Sequence, residues 1–209
     1  MQPPINQLEE GLETRKAFKI ILAVFLALII VVVGFFAILF LDVAAYTATG
    51  SQTLTPTGTS VGKALVVYDP GLSGTAKTVA DKIASDLQER GYTVTLAGVK
   101  SSATANTTDY AVVVAGGPVY AGALTGSVKD FLNNLPAGHA SQGYGPYILT
   151  RVGVFGSGQG ATTPEDIAQL KQSVAALSGN GTLSNAVVVK IGQTEDLTVR
   201  VQDFVNQLV

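Results

Sequence analysis

The chain contains no cysteine, which removes disulfide bonds, thiolate zinc sites and cysteine-ligated iron–sulfur centres from consideration and leaves the redox compartment open. Histidine is almost as scarce: His139 is the only one in 209 residues. Charge is thin as well. Asp, Glu, Lys and Arg make up 13% of the chain, where a soluble domain carries about a quarter. From Ser51 onward ten Lys and Arg stand against eleven Asp and Glu, a net charge of −1, so no basic surface for nucleic acid is expected. Nor is a metal site expected.

What is abundant is apolar. Hydrophobic residues reach 47%, and the excess is concentrated in residues 20–41, IILAVFLALIIVVVGFFAILFL, a run of 22 without a charge. At 1.5 Å per residue this is a helix of roughly 33 Å, enough to cross a hydrocarbon core. A secretory signal has an apolar region of only about 7–15 residues. The run, from Ile20 to Leu41, is therefore read as a membrane span contacting lipid and acting as a signal anchor. Arg15, Lys16 and Lys19 precede it, and no Lys or Arg follows until Lys63. The positive-inside rule puts the N-terminus in the cytoplasm and everything beyond the span outside, in a single-pass arrangement.

Residues 1–19 form a short polar tail, either frayed or a juxtamembrane helix with Glu9, Glu10 and Glu13 ahead of Arg15 and Lys16. Residues 42–61 are poor in charge and rich in Thr, Ser and Gly, the composition of a linker. From residue 62 the pattern turns regular. Five β-rich runs (64–68, 93–97, 110–115, 151–155 and 186–191) alternate with helix-period segments at 75–90, 125–134, from Pro164, and 195–208. Residues 100–108 are expected as a loop or a single helical turn. Strands alternating with helices imply right-handed βαβ units and a parallel sheet covered on both faces, an α/β doubly wound fold over residues 62–209. Polar glycine-rich turns follow the first, third and fourth runs, so all three are expected at the carboxyl edge of the sheet, where ligands of such folds bind.

The first turn admits three chemistries. Gly71-Leu72-Ser73-Gly74-Thr75-Ala76-Lys77-Thr78 matches the nucleotide-binding pattern GxxxxGK[ST] except that Ala76 stands for the second glycine. No later strand ends in an acid that would serve magnesium, since the run at 110–115 passes into Gly116-Gly117. Gly71-Leu72-Ser73-Gly74-Thr75 also approaches the GxSxG of a serine hydrolase, but lacks the final glycine, and His139 precedes the last strands rather than following them. The third chemistry is a neutral phosphate loop: backbone N–H groups at a helix N-terminus, with the hydroxyls of Ser73, Thr75 and Thr78.

Two further segments carry a family resemblance. Ala115-Gly116-Gly117-Pro118-Val119-Tyr120-Ala121-Gly122 is similar to the GxPVYAG-like segment of flavodoxins, and Val154-Phe155-Gly156-Ser157-Gly158-Gln159-Gly160 to their VFGxGD segment. With the turn after the first strand, the domain resembles a flavodoxin over about 145 residues. The resemblance implies a five-stranded parallel sheet of order 2-1-3-4-5 and bound FMN. It would place the phosphate on Gly71, Leu72, Ser73, Gly74 and Thr75, and the isoalloxazine between Pro118, Val119, Tyr120, Ala121 and Gly122 on one side and Gly156, Ser157, Gly158 and Gln159 on the other. Tyr120 would lie near the ring, and no acid, base or nucleophile is implied. Two departures stand out: Asp69-Pro70-Gly71 occupies positions where hydroxyls are usual, and Gln159 replaces the usual Asp.

Two functions follow as expectations. One is a membrane-anchored flavoprotein passing electrons to or from a membrane or redox partner. The other is a non-redox binding or scaffold domain with a degenerate flavin site, displayed outside the cell; the acceptor triplets Asn106-Thr107-Thr108 and Asn180-Gly181-Thr182 suit that side.

Overall fold

A computed structural model describes residues 18–35, 48–135, 151–177, 183 and 185–209. The tail before Phe18, residues 36–47, the connector with His139, and the triplet at Asn180 lie outside the described residues. Helix α1, Phe18–Phe35, has a mean hydropathy of 3.0 and no buried residue within that window, and is long and apolar enough to cross a membrane. It starts two residues ahead of the expected span.

The rest of the described chain is a seven-stranded mixed sheet with helices on both faces. In chain order the strands are β1 (Ser51–Leu54), β2 (Gly62–Tyr68), β3 (Tyr92–Gly98), β4 (Val112–Tyr120), β5 (Ala123–Leu124), β6 (Arg151–Gly158) and β7 (Val187–Gly192). The helices are α2 (Thr75–Glu89), α3 (Gly126–Asn133), α4 (Pro164–Ala175) and α5 (Leu197–Leu208), with a 3₁₀ turn at Ser102–Thr104. The order across the sheet is β1-β3-β2-β4-β6-β7. Strands β3, β2, β4, β6 and β7 are parallel and are the five expected ones, in the expected order.

The sheet forms where it does because its central strands are apolar on both sides. Ala64 to Val67 are fully buried, and so are Val113, Val114 and Ala115. Alternate residues feed two separate cores. Val66, Val94, Val114 and Phe155 meet Val79, Ile83 and Leu87 of α2 and Val201, Phe204 and Val205 of α5. Leu65, Val67, Val113 and Val154 meet Val128 and Leu132 of α3 and Leu170 and Val174 of α4. In α2 the buried positions 76, 79, 80, 83, 84 and 87 trace one face at helical spacing. Gly91, at φ 92°, ends that helix in the left-handed conformation, its N–H donating to the Gln88 carbonyl. Thr163 and Asp166 cap α4 reciprocally with Pro164 at its first position, and Asp196 caps α5.

Three local expectations are corrected. The stretch 42–61 is not wholly linker: Ser51–Leu54 is a strand, antiparallel to β3 with Leu54 opposite Val94 and Ser51 opposite Ala97. It covers what would otherwise be an open sheet edge, and Leu54 packs on the α2 side of the core. Strand β4 does not end at Ala115 but runs through Gly116, Gly117, Pro118 and Val119 to Tyr120, and β6 runs through Gly156 to Gly158. The glycines in these extensions make room for neighbours. A Cβ on Gly116 would stand 2.2 Å from the Phe155 carbonyl oxygen, and one on Gly156 would stand 2.4 Å from Val119 Cγ2.

Candidate functional site

The loops after β2, β4 and β6 converge at the carboxyl edge of the sheet on an open cleft of about 500 Å³. Its walls are Leu72, Ser73 and Thr75 from the first loop, Pro118, Val119, Tyr120 and Ala121 from the second, and Ser157, Gly158 and Gln159 from the third. Strand β2 lies between β3 and β4, so the chain steps from β2 to β3 on one side and then crosses back to β4 on the other, and the cleft sits at this topological switch point.

Of the fourteen residues singled out in the sequence, ten line this cleft, and the other four shape it from behind. Gly71 and Gly74 both have positive φ, 59° and 68°. A Cβ on Gly71 would collide with Pro118 Cγ at 2.7 Å, so a side chain here would push the first loop off the second. Gly74 is the N-cap of α2 and provides no side-chain bond to its first turn, where the Thr75 N–H donates to Ser73 Oγ at 3.4 Å. Gly122 closes a two-residue hairpin between β4 and β5, with Ala121 at φ 49° and Gly122 at φ 79°. Positive φ at both central residues is the type I′ geometry, and at Ala121 it is strained. Gly156 is buried in β6. Tyr120 stands at the end of this hairpin, 57% exposed, with its ring free to meet a ligand or solvent.

The cleft walls contain no charged side chain. Lys77, in the first turn of α2, is bound to Asp81 at 2.9 Å and lies 5.9 Å from the centre of the Tyr68 ring. That pairing with Asp81 raises its pKa above the ordinary lysine value. The magnesium-dependent nucleotide reading gains nothing here, because the lysine is already paired within its own helix.

Two residues at the site escaped the sequence reading. Gln193, after β7, lines the cleft and donates from Nε2 to Thr75 Oγ1 at 3.1 Å, linking a fourth loop to the start of α2. Asp69, directly after β2, is buried. One oxygen accepts the Gly71 N–H at 3.1 Å; the other accepts the hydroxyls of Thr125, at 2.9 Å, and Ser127. This network fastens the first loop to the N-terminus of α3. Asp69 makes a local bond to Gly71, but the partners that tie these two residues into the site lie 118, 56 and 58 positions away.

The outer loops are braced separately. Asp166, in the first turn of α4, is bound to Lys190 of β7 at 2.8 Å, and the Lys190 stem covers Gly158. The bond to Lys190, with one from the Thr163 N–H, holds the Asp166 carboxyl below the usual range. Burial pushes Glu195 upward, but hydrogen bonds from the Gly192 N–H and the Thr162 hydroxyl outweigh it and leave the carboxyl lowered. A second cavity of about 420 Å³ lies between residues 99–108 and α3; it draws on none of the three loops.

Comparison with known proteins agrees with this geometry. A family model described as a flavodoxin domain matches residues 66–146. Comparison with curated proteins finds no match. Among solved structures, an NADH:FMN oxidoreductase in its apo form superposes with a TM-score of 0.52 at 15% identity, over 71% of this chain and 91% of that one. Flavodoxin 2 from Bacillus cereus gives 0.47 at 18% identity, over 70% and 97%. Rubredoxin oxygen:oxidoreductase from Desulfovibrio gigas gives 0.47 at 20% identity over 72% of this chain, which spans only 36% of that protein's length. At these identities the likeness is one of fold. The globular part of this chain has a flavodoxin-like fold.

Proposed function

We propose that the domain binds a flavin noncovalently in the three-loop cleft, FMN being the first ligand to test, and takes part in electron transfer beside the membrane that α1 enters. The observation that carries this reading is the convergence of the loops after β2, β4 and β6 on one uncharged cleft of about 500 Å³. That size lies within the range of about 300–1,000 Å³ typical of cofactor sites. A bound flavin would supply the redox chemistry, and the protein would supply position and electrostatics. Residues 72–74 and the uncapped start of α2 offer amide donors to a phosphate. Tyr120 and residues 118–121 flank one side of the space for the ring; Gly158 and Gln159 flank the other, where the Gln159 amide can meet a polar edge without adding charge. The basic residues before α1 support the outer side for the domain, where a membrane-bound partner such as a quinone or a redox protein would exchange electrons with it.

A scaffold without ligand is the second reading. One observation favours it: Asp69 already holds the Gly71 amide. Titrating the full chain in detergent micelles with FMN and with riboflavin separates the two. Saturable quenching of flavin fluorescence and a shifted visible spectrum are expected; no change with either flavin leaves the scaffold reading standing. For topology, protease added to intact cells is expected to cleave the domain, and full protection would reverse the orientation.

A further inference from the structure

We infer that Asp69 is a specificity-determining residue that sets the cleft against a phosphate dianion, so that riboflavin is held as well as FMN. The inference rests on the flavin reading and sharpens its ligand. Three features support it. First, the Asp69 carboxylate sits at the base of the first loop and takes the Gly71 N–H, so that donor is spent on an internal anion. Second, the preceding residue is Pro70, which has no N–H to offer. Two consecutive positions of the loop therefore present nothing to a phosphate. Third, among the described residues no cation pairs with the carboxylate: no charged side chain lines the cleft, and Lys77 is engaged by Asp81.

Thr125 and Ser127 hold the other carboxylate oxygen and fix its position from α3, so Asp69 cannot swing away to admit a second anion. A phosphate monoester carries about −1.5 to −2 charges at pH 7. Placed on the same short loop, it is repelled by the fixed carboxylate, and this offsets the attraction of the α2 N-terminus. The ring and the ribityl chain are uncharged and meet only the neutral walls formed by Tyr120, Gly158 and Gln159. Binding energy for the flavin therefore comes from its uncharged part.

The test compares riboflavin and FMN by fluorescence quenching on the full chain in detergent at pH 7 and low salt, in the natural protein and in Asp69→Asn. Asparagine keeps the shape and removes the charge: its Oδ1 can keep the Gly71 N–H, and its Nδ2 can donate to the Thr125 and Ser127 hydroxyl oxygens, which accept as well as donate. In the natural protein the two dissociation constants are expected to agree within about threefold, and in Asp69→Asn FMN is expected to tighten by about tenfold or more with riboflavin unchanged. FMN binding more than tenfold tighter than riboflavin in the natural protein overturns the inference, and that comparison decides even if the variant does not fold. An unchanged ratio in a folded Asp69→Asn overturns it too. If both flavins bind but FMN dominates, only the role of Asp69 falls; if neither binds, the flavin reading falls with it.

Discussion

The two sides of the cleft are built by opposite means. On the β2 side, apart from the close approach of Gly71 to Pro118, the loop is held by side chains: Asp69 reaches across to Thr125 and Ser127, Ser73 meets Thr75, and Gln193 reaches Thr75. On the β4 and β6 side the loops are held by missing side chains. Gly116, Gly117 and Gly156 let two strands extend past the expected turns and press against Phe155, Asp69, Val119 and Leu170. The difference teaches where change is tolerated. A hydrogen-bonded loop loses its strength one bond at a time, whereas a close-packed strand has nowhere to put an added atom. The β2 side is thus the side free to vary in charge, and it is the side on which Asp69-Pro70 departs from the usual hydroxyls.

The contrast breaks most sharply at Gly116. A methyl there would stand 2.2 Å from the Phe155 carbonyl oxygen and 2.4 Å from its ring, and the oxygen belongs to the paired strand β6. Because backbone cannot rotate out of the way, Gly116→Ala is expected to cost about 3 kcal/mol. For a domain of this size the thermal midpoint should drop by about 10 °C. Gly126→Ala is the matched control: nothing lies within 4 Å of its added Cβ, at the first position of α3. It should melt at or slightly above the natural protein. A Gly116→Ala midpoint equal to that of Gly126→Ala would show that the β4 side yields as readily as the other.

The β2 side should respond to a lesser degree. Asp69→Ala strips the acceptor from three donors in a part-buried setting. Water can reach some of them, so a loss of about 2 kcal/mol is expected, below that of Gly116→Ala. The Gly71 amide should also exchange its hydrogen faster, since the carboxylate that accepts it is gone. Unchanged exchange at Gly71 would mean the loop keeps its form without the carboxylate.

Legibility in the sequence divides along the same line. The parallel strands could be read because their apolar runs are buried on both faces, as at 64–67 and 113–115, and helices of regular period separate them. Their order followed from the family resemblance, and the three loops came to one edge as βαβ connectivity requires. The extensions of β4 and β6 could not be read. Glycine signals a turn and a close approach with the same letter, and only the facing Phe155 and Val119 decide between them. Strand β1 escaped because four residues of Ser, Gln, Thr and Leu alternate too briefly to stand out, and its partner edge is supplied by β3, 40 to 46 positions later. Asp69 and Gln193 escaped because what makes them part of the site is a partner distant in sequence. Ten of the fourteen chosen residues reach the cleft wall because the loops were placed correctly, which is a property of the sheet rather than of the motifs.

The smallest expected effect concerns the brace behind the third loop. The bond from Lys190, with that from the Thr163 N–H, keeps the Asp166 carboxyl below its ordinary value in the folded chain. In the unfolded chain the carboxyl titrates near its reference of about 3.9. Between those two values the unfolded state binds more protons, so stability falls as the pH falls. The contribution is whole above about pH 4 and disappears as the pH drops through the folded value. Asp166 is half-buried with solvent at its carboxylate, so the change is small and screened by salt. Melting curves from pH 6 down to pH 3 at low salt should show the natural protein losing stability more steeply than Asp166→Asn, with the two curves converging at the acid end once the cost of the altered cap is subtracted. Parallel curves would place the acid sensitivity elsewhere, Glu195 being the next carboxyl held low, by the Gly192 N–H and Thr162 on the neighbouring loop. In either case the sensitivity belongs to the loops after β6 and β7, where ion pairs and caps back the glycine-packed wall. Its outward face toward the cleft stays uncharged.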